Sequence, residues 1–197
     1  MSDGPDKTKI NARRKRLSPD ARRAQLLATA IDVFAEMGLE RAGHGDISKR
    51  AGVSTPTVFN YFPTREVLVR AVLAEIEVLI DDLFAQISPQ SLSVEDRILA
   101  MAAAYAQLVR DHPSVAKTFL KWEVSFDPDI RPLYLDFQDR VLDRLEAYVP
   151  NVPDRRTEAR ILYGSANMLA TMGFDGTDPL VIQSYIRRIA AMLGQSS

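Results

Sequence analysis

From residue 18 onward, apolar residues recur at intervals of three and four along almost the whole chain. Leu27, Ile31 and Phe34 show this spacing near the start, and Ile186 and Ile189 show it near the end. Such spacing places apolar side chains on one face of an α-helix, whereas a half-buried strand needs strict alternation. No stretch alternates in that way. The sequence therefore predicts an all-α protein of about nine helices.

Three parts are predicted along the chain. Residues 1–17 are polar and basic without helical periodicity, which indicates a disordered arm. Residues 18–63 are expected to form a small helical domain, and residues 64–197 are expected to form a larger helical domain.

Composition excludes several classes of protein. The 197 residues are 46% hydrophobic and 26% charged, as in ordinary globular proteins. The absence of cysteine excludes disulfide bonds and thiolate metal sites, which fits a reducing cytoplasm. We see neither a secretory signal nor an apolar run long enough to cross a bilayer. We therefore expect a cytoplasmic protein without a membrane partner.

Charge is divided unevenly between the two ends. Residues 1–70 hold 13 Lys and Arg against 8 Asp and Glu, whereas residues 71–197 hold 12 against 18. Such asymmetry is typical of a polyanion-binding N-terminal part joined to an acidic remainder. Chance clustering of solvated charges is the alternative.

Residues 46–62, DISKRAGVSTPTVFNYF, place a second helix start directly behind a helix end. Very short helices bury little apolar surface, so they rarely exist for stability alone. Two such helices joined by a glycine-containing turn are typical of a helix-turn-helix. Three apolar residues of the second helix are expected to pack on the first helix of the domain: Val58, Phe59 and Phe62.

The other side of this second helix carries small or polar residues suited to the major groove of DNA. They are Thr55, Pro56, Thr57 and Asn60. Asparagine can bind adenine through two hydrogen bonds, and threonine can bond a base or pack on a thymine methyl group. We therefore expect double-stranded DNA as a partner.

Residues 30–73, AIDVFAEMGLERAGHGDISKRAGVSTPTVFNYFPTREVLVRAVL, resemble the DNA-binding domain of the TetR family of bacterial transcriptional regulators. Three segments resemble the LuxR/HapR-type subgroup, the quorum-sensing master regulators of vibrios. They are RLSP at 16–19, GHGDI at 43–47 and TVFNYFPTRE at 57–66. Beyond about residue 75 the resemblance is mainly in helix layout.

The resemblance also implies contacts with the DNA backbone. Arg14 and Arg16 match an arm that enters the minor groove, although a solvated basic tail is the alternative. Tyr61 and Arg65 match phosphate contacts, which the amide groups of a helix capped by Thr64 would support. Ser54, the expected cap of the second helix, is included in this DNA-binding set.

Two positions depart from the family pattern. Gly43 stands where most relatives have a Ser or Thr cap, and Thr55-Pro56 replaces small apolar residues of the subgroup. The base preference therefore stays open. His44 has no second metal ligand at helical spacing, so we interpret it as a packed or turn-stabilising residue and expect no metal or cofactor.

The resemblance implies that residues 18–63 are the DNA-binding domain and residues 64–197 a regulatory and dimerisation domain. Its last two helices would pair with those of a second subunit, giving a homodimer on a palindromic operator. The apolar residues there exceed what one helix pair can bury. The predicted interface residues are Ile161, Leu162, Leu169, Ile182, Ile186, Ile189 and Leu193.

A cavity for a small apolar effector is also implied, with an ordinary apolar core as the alternative. Its predicted lining is Ile80, Leu83, Phe84, Leu120, Trp122 and Tyr134, with Gln138 and Asn167 as polar groups.

The leading hypothesis is a dimeric, effector-modulated DNA-binding regulator that is not an enzyme. The alternatives are the same regulator without a ligand, a helical enzyme that uses the cavity, and an adaptor that has lost DNA binding. The sequence leaves four points open: the effector, the regulated genes, a role in quorum sensing, and the choice between repressor and activator.

Overall fold

The computed structural model describes residues 17–87 and 92–195. These ranges contain nine α-helices and no strand, which confirms the predicted all-α class. The helices are α1 Pro19–Met37, α2 His44–Ala51, α3 Thr55–Tyr61, α4 Arg65–Ala85, α5 Val94–Asp111, α6 Pro113–Glu123, α7 Arg131–Leu145, α8 Arg155–Phe174 and α9 Pro179–Gly194.

The ends of α1 follow local chemistry. The Ser18 hydroxyl accepts a hydrogen bond of 3.2 Å from the Ala21 amide. Pro19 occupies the first turn, where no partner for its nitrogen is needed. Gly38 ends the helix with φ 80°, a value that glycine adopts without strain. The sequence predicted both ends.

Helix α1 lies at the centre of the packing. It contacts α2, α4 and α6. Leu26, Ala30 and Phe34 are almost wholly buried, and they belong to one core that continues into α4, α6 and α7. The core therefore crosses residue 63, although the proposed division into domains there stays a prediction.

Helices α8 and α9 pack on α5 as well as on each other, and α8 also packs on α7. This packing buries Leu162, Leu169 and Leu193 within their own chain. Their prediction as dimer-interface residues is wrong, because α5 and α7 cover the face that was assigned to a second subunit. Half-buried Ile186 and Ile189 also face inward, towards a cavity described below.

The turn between α2 and α3 gives a test of this local geometry. Gly52 has φ 66°, a left-handed backbone that disfavours a residue with a Cβ. Gly52→Ala should therefore lower the free energy of unfolding by about 1–2 kcal/mol. Gly45→Ala is the matched control, because Gly45 is helical, is exposed and has no other atom within 4 Å of an added Cβ. For Gly45→Ala we expect the free energy of unfolding to stay the same or to increase by up to about 1 kcal/mol.

Urea unfolding followed by circular dichroism measures both changes. Equal effects of the two substitutions would contradict the assignment of a left-handed residue to the turn.

Candidate nucleic-acid interface and ligand cavity

Helix α3 is anchored through one side. Val58 and Phe62 are fully buried in the core that contains α1, and the Arg23 guanidinium of α1 lies 5.3 Å from the centroid of the Phe62 ring. The chain reaches α3 through Gly52, and the Val53 amide donates back to the Ser48 carbonyl at 3.0 Å. The orientation of α3 is therefore fixed by the protein itself.

The opposite side of α3 is exposed at Pro56, Phe59 and Asn60. The prediction that Phe59 packs inward is wrong, because 46% of the residue is exposed. Its ring stacks on that of His44, with centroids 4.1 Å apart and planes 2° apart. The reason is rotation along the helix: Phe59 lies about 100° around the axis from buried Val58.

His44 holds α2 and α3 together. Its Nε2 lies 2.7 Å from the Phe62 carbonyl oxygen, and the residue is buried beneath Phe59. The prediction of a packed, turn-stabilising histidine is confirmed.

The hydroxyl groups at the start of α3 already have partners. Thr55 Oγ1 lies 2.9 Å from Ser48 Oγ, and Thr57 Oγ1 lies 2.8 Å from Ser54 Oγ. Ser54 therefore stands at the N-cap position without capping a backbone amide, contrary to our expectation. Both threonines are half-buried, so Asn60 is the polar side chain on α3 that is both exposed and without a hydrogen bond to the described residues.

Three residues separate the end of α3 from the start of α4. The Thr64 hydroxyl accepts a hydrogen bond of 3.2 Å from the Val67 amide, which confirms Thr64 as the cap. Arg65 donates to the Leu39 carbonyl, so part of its guanidinium ties α4 to the loop after α1. Tyr61 is half-buried against the core. The predicted arm residues Arg14 and Arg16 lie outside the described residues.

Gly43 has no side chain that could cap α2, and Asp46 makes one of the two hydrogen bonds of a capping box instead. The Asp46 carboxylate accepts a hydrogen bond of 3.0 Å from the Gly43 amide, which is one half of a capping box. Behind α2, the exposed Arg50 guanidinium pairs with the Glu36 carboxylate of α1.

A second candidate site is a cavity of about 90 Å³ whose wall is built from α4 to α9. Of the predicted lining, Ile80, Leu83, Phe84 and Asn167 belong to this wall. The other four do not: Leu120, Trp122, Tyr134 and Gln138. Leu120 packs instead in a small separate cluster with Val109. These four were placed wrongly because their side chains lie on other faces of α6 and α7.

Four polar residues of the wall were not predicted from the sequence: Tyr105, Tyr163, Ser165 and Tyr185. A signal was present for Tyr105, which follows Ile98 and Met101 at helical spacing on α5. Tyr163 is joined to Tyr134 by a hydrogen bond of 2.8 Å between the two hydroxyls.

Glu123, at the end of α6, lies at the polar margin of this region. Its carboxylate accepts a hydrogen bond of 2.7 Å from Asn167 Nδ2. Burial raises the pKa of the Glu123 carboxyl above its ordinary value, while the bond from Asn167 and the positive charge of Arg131 oppose that rise. The carboxylate is thus a partly desolvated charge beside the cavity.

Helix α6 also contacts the DNA-binding half of the chain. The buried Thr118 hydroxyl donates to the Ile31 carbonyl at 3.0 Å. Lys121 Nζ donates to the Ala35 carbonyl at 2.6 Å and to the Glu36 carbonyl at 2.9 Å, near the C-terminal end of α1. A positive charge there is favoured by the helix dipole. One helix therefore contacts both the cavity and α1.

Comparison with known proteins matches residues 26–72 to the family of bacterial regulatory proteins, tetR family. The chain is 36% identical over 122 residues to the HTH-type transcriptional regulator LuxR of Vibrio harveyi. The N-terminal part of the chain is therefore similar to the DNA-binding part of TetR-family regulators. The likeness to LuxR supports the predicted LuxR-type subgroup; the alignment covers 62% of this chain and 60% of LuxR, which is less than two thirds of that protein.

Solved structures agree on the architecture. A TetR-like transcriptional regulator from Rhodococcus sp. RHA1 matches with a TM-score of 0.73 at 18% identity, over 91% of this chain and 97% of that one. The transcriptional regulator FadR from Bacillus subtilis, solved with stearoyl-CoA, matches with a TM-score of 0.70 at 18% identity, over 85% and 97%. At this identity the match shows the TetR fold. These relatives are transcriptional regulators and not enzymes, as predicted.

The last two helices of the chain carry exposed apolar side chains on their outer face. Ile161 and Met168 lie seven residues apart on α8, hence on one stripe. Leu180 and Val181 lie exposed at the start of α9. Ile182, from the predicted interface set, is half-buried.

No helix among the described residues is long and apolar enough to cross a membrane.

The raised pKa of Glu123 predicts a pH effect on stability. A carboxyl whose folded-state pKa is raised binds protons more readily when folded, so it contributes stability at low pH that is lost as pH rises through the raised pKa. Glu123→Gln removes this loss and keeps an acceptor for Asn167. Thermal unfolding is measured between roughly pH 4 and pH 8, a range that begins near the ordinary carboxyl pKa. The Tm of the variant should increase relative to the Tm of the wild type as pH rises.

Glu75→Gln is the control, because it removes one charge at an exposed site on α4. A difference between the Glu123 variant and the wild type that is constant over pH would contradict this account.

Proposed function

We propose that the chain is a transcriptional regulator that binds a palindromic double-stranded operator as a homodimer and responds to a small effector. The observation that carries the proposal is the geometry of α3. Val58 and Phe62 hold one side in the core, while Pro56, Phe59 and Asn60 stand exposed on the other. A short helix fixed in this way can present side chains to the major groove.

Each exposed residue of α3 suits a different contact. Asn60 can pair with an adenine edge through two hydrogen bonds. Phe59 and Pro56 have no hydrogen-bonding side-chain group and suit thymine methyl groups. Thr55 and Thr57 hold their hydroxyls in internal hydrogen bonds, so their methyl groups and remaining lone pairs are what they offer.

Affinity is expected to come mainly from phosphate contacts. The amide groups at the start of α4, near Thr64, can bind a phosphate, with Tyr61 and the unengaged donors of Arg65 beside them. The arm, with Arg14 and Arg16, would add contacts in the minor groove. Such contacts carry affinity without base preference, so specificity rests on α3. A protein acting on bacterial DNA in this way would work in the cytoplasm.

The dimer is supported by the exposed apolar stripe on α8 and α9. Met168 is 50% exposed and Val181 is 53% exposed, and Ile161 continues the stripe. Large apolar side chains exposed together usually mark an interface. A two-fold pair formed through this face would present two copies of α3 to two half-sites.

Response to an effector is supported by the cavity and by α6. Phe119 of α6 lines the cavity, and Thr118 and Lys121 of the same helix bind carbonyls of α1. A ligand that shifts α6 therefore has a direct route to α1 and, through the shared core, to α3. FadR, which shares the fold, was solved with stearoyl-CoA, so this fold can hold a ligand.

The DNA contact is tested with Asn60→Ala. Operator duplex is first selected from genomic fragments with purified protein, and affinity is then measured at one fixed salt concentration. Loss of a two-bond adenine contact should cost about 1–3 kcal/mol on the operator and much less on random duplex. Asn151→Ala, at an exposed site between α7 and α8, is the control and should change neither affinity.

Two results of that titration would contradict the proposal. Equal losses on operator and random duplex would mean that Asn60 holds a phosphate, which moves specificity to Phe59 and its neighbours. Wild-type protein that selects no fragment at any salt concentration would reject DNA binding altogether.

The dimer is tested with the double variant Met168→Glu and Val181→Glu. Both residues are at least half exposed, so the fold should survive, whereas changes at Ile186 or Ile189 would damage the cavity wall. Light scattering should show a wild-type dimer at micromolar concentration and a monomeric variant. Val78→Glu, on α4 and 55% exposed, should leave the dimer intact. A variant that stays dimeric would place the interface elsewhere.

A further inference from the structure

We propose that the effector is an uncharged, largely apolar carbonyl compound of medium size whose oxygen accepts a hydrogen bond from the Tyr105 hydroxyl. This inference rests on the proposed role of the cavity as the effector site. It adds the chemical class of the ligand and the residue that selects it.

The size follows from the volume. The cavity has a volume of about 90 Å³. One water needs roughly 10–15 Å³, so the cavity has room for roughly six to nine waters. A methylene group and a water molecule fill similar volumes. The enclosed part of a ligand is therefore about six to nine non-hydrogen atoms.

Apolar character follows from the wall, which is formed mainly by aliphatic and aromatic side chains. Most of its polar groups are already satisfied within the protein. Asn167 Nδ2 donates to Glu123 at 2.7 Å, Ser165 Oγ donates to the Ile161 carbonyl at 2.7 Å, and the Tyr185 hydroxyl donates to the Ser165 carbonyl at 3.3 Å. A ligand gains little by competing for them.

Tyr105 is different. It lines the cavity as a half-buried residue, and its hydroxyl has no hydrogen bond to the described residues. The Tyr163 hydroxyl on α8 is already bonded to that of Tyr134. A ligand that carries an acceptor can therefore use the Tyr105 hydroxyl without breaking a hydrogen bond inside the protein. The wall thus offers one polar anchor.

The anchor is a donor because it keeps its proton. Burial raises the pKa of the Tyr105 hydroxyl, and the negative charge of Glu123 raises it further. The phenol is therefore neutral at physiological pH. Its proton needs an acceptor, which a ketone, ester or amide carbonyl supplies.

The charges in and around the cavity argue against an ionised ligand. The described residues that line the cavity include no Lys, Arg, Asp or Glu. Outside the wall, Glu123 lies close enough to raise the pKa values of Tyr105, Tyr134 and Tyr163, so an anion would meet repulsion. An ammonium group would be attracted by Glu123, but it would find no carboxylate among the lining residues, so its loss of hydration would stay costly.

Arg131 does not neutralise this negative charge from within the cavity. Its guanidinium lies over the Tyr134 and Phe126 rings and donates to the Glu123 backbone carbonyl at 2.7 Å. A carboxylate ligand in the cavity therefore has no cation to bind among the lining residues.

The test compares three probes that share one chain length: 2-heptanone, heptanoate and heptylammonium. Calorimetry with the full-length protein, without DNA, measures their affinities, and thermal unfolding gives a second measure because a ligand of the folded state raises Tm. We expect 2-heptanone to bind at least about tenfold more tightly than either ion.

Two tyrosine variants then test the anchor. Tyr105→Phe should weaken 2-heptanone roughly three- to tenfold, as loss of one neutral hydrogen bond does. Tyr148→Phe also removes one tyrosine hydroxyl, but Tyr148 lies outside the wall and its hydroxyl donates to the Ile87 carbonyl at 3.1 Å. It should therefore change the affinity by less than about twofold.

Each other outcome would overturn the inference. Heptanoate or heptylammonium binding as tightly as the ketone would reject the uncharged class, and equal effects of the two tyrosine variants would reject Tyr105 as the anchor. Binding of none of the three probes would reject both the class and the size. Operator binding by the same preparation is measured in parallel, because its loss rejects the proposed function whereas its retention confines the failure to the ligand class.

Discussion

The burial of α1 against α2, α4 and α6 is the constraint on which the rest of the structure depends. Leu26, Ala30 and Phe34 are almost inaccessible to solvent, and one continuous core joins them to α3, α4 and α6. A helix-turn-helix of two short helices has too little apolar surface to be stable alone. By packing on α1 it gains the core of the larger half, so α3 is rigid at its buried side while its other side is free for DNA.

The same packing limits how the two halves can communicate. Thr118 and Lys121 bind α1 carbonyls through their side chains, at distances from 2.6 to 3.0 Å. Both donors come from α6, whose Phe119 lies in the cavity wall between them in sequence. Residues 118 and 121 lie on one helical face and 119 lies about 100° away. Rotation of α6 about its axis therefore changes the cavity wall and the α1 contacts together, whereas movement of α8 or α9 alone does not.

Features encoded by local chemistry were predictable from the sequence. Ser18, Gly38 and Thr64 mark helix ends through caps or a positive φ, and the glycine turn of the helix-turn-helix depends on Gly52. Features that depend on helix rotation were not. Val58 and Phe59 are adjacent and both apolar, yet one is buried and the other is stacked on His44, because only the position of α1 decides which side of α3 faces inward.

The cavity and the proposed dimer face show the same limit for residues on longer helices. Leu193 and Met168 are both apolar residues on the last two helices, but α5 covers the first and leaves the second half exposed. Sequence periodicity shows which residues form the apolar stripe on a helix. It does not show which other helix packs against that stripe. Buried polar groups are more informative, because each must find a partner. A tyrosine within the apolar stripe of α5 is costly for a solid core, and its presence is understandable if its partner is a ligand. For that reason Tyr105, and not the aliphatic wall around it, is the residue from which the chemistry of the effector can be argued.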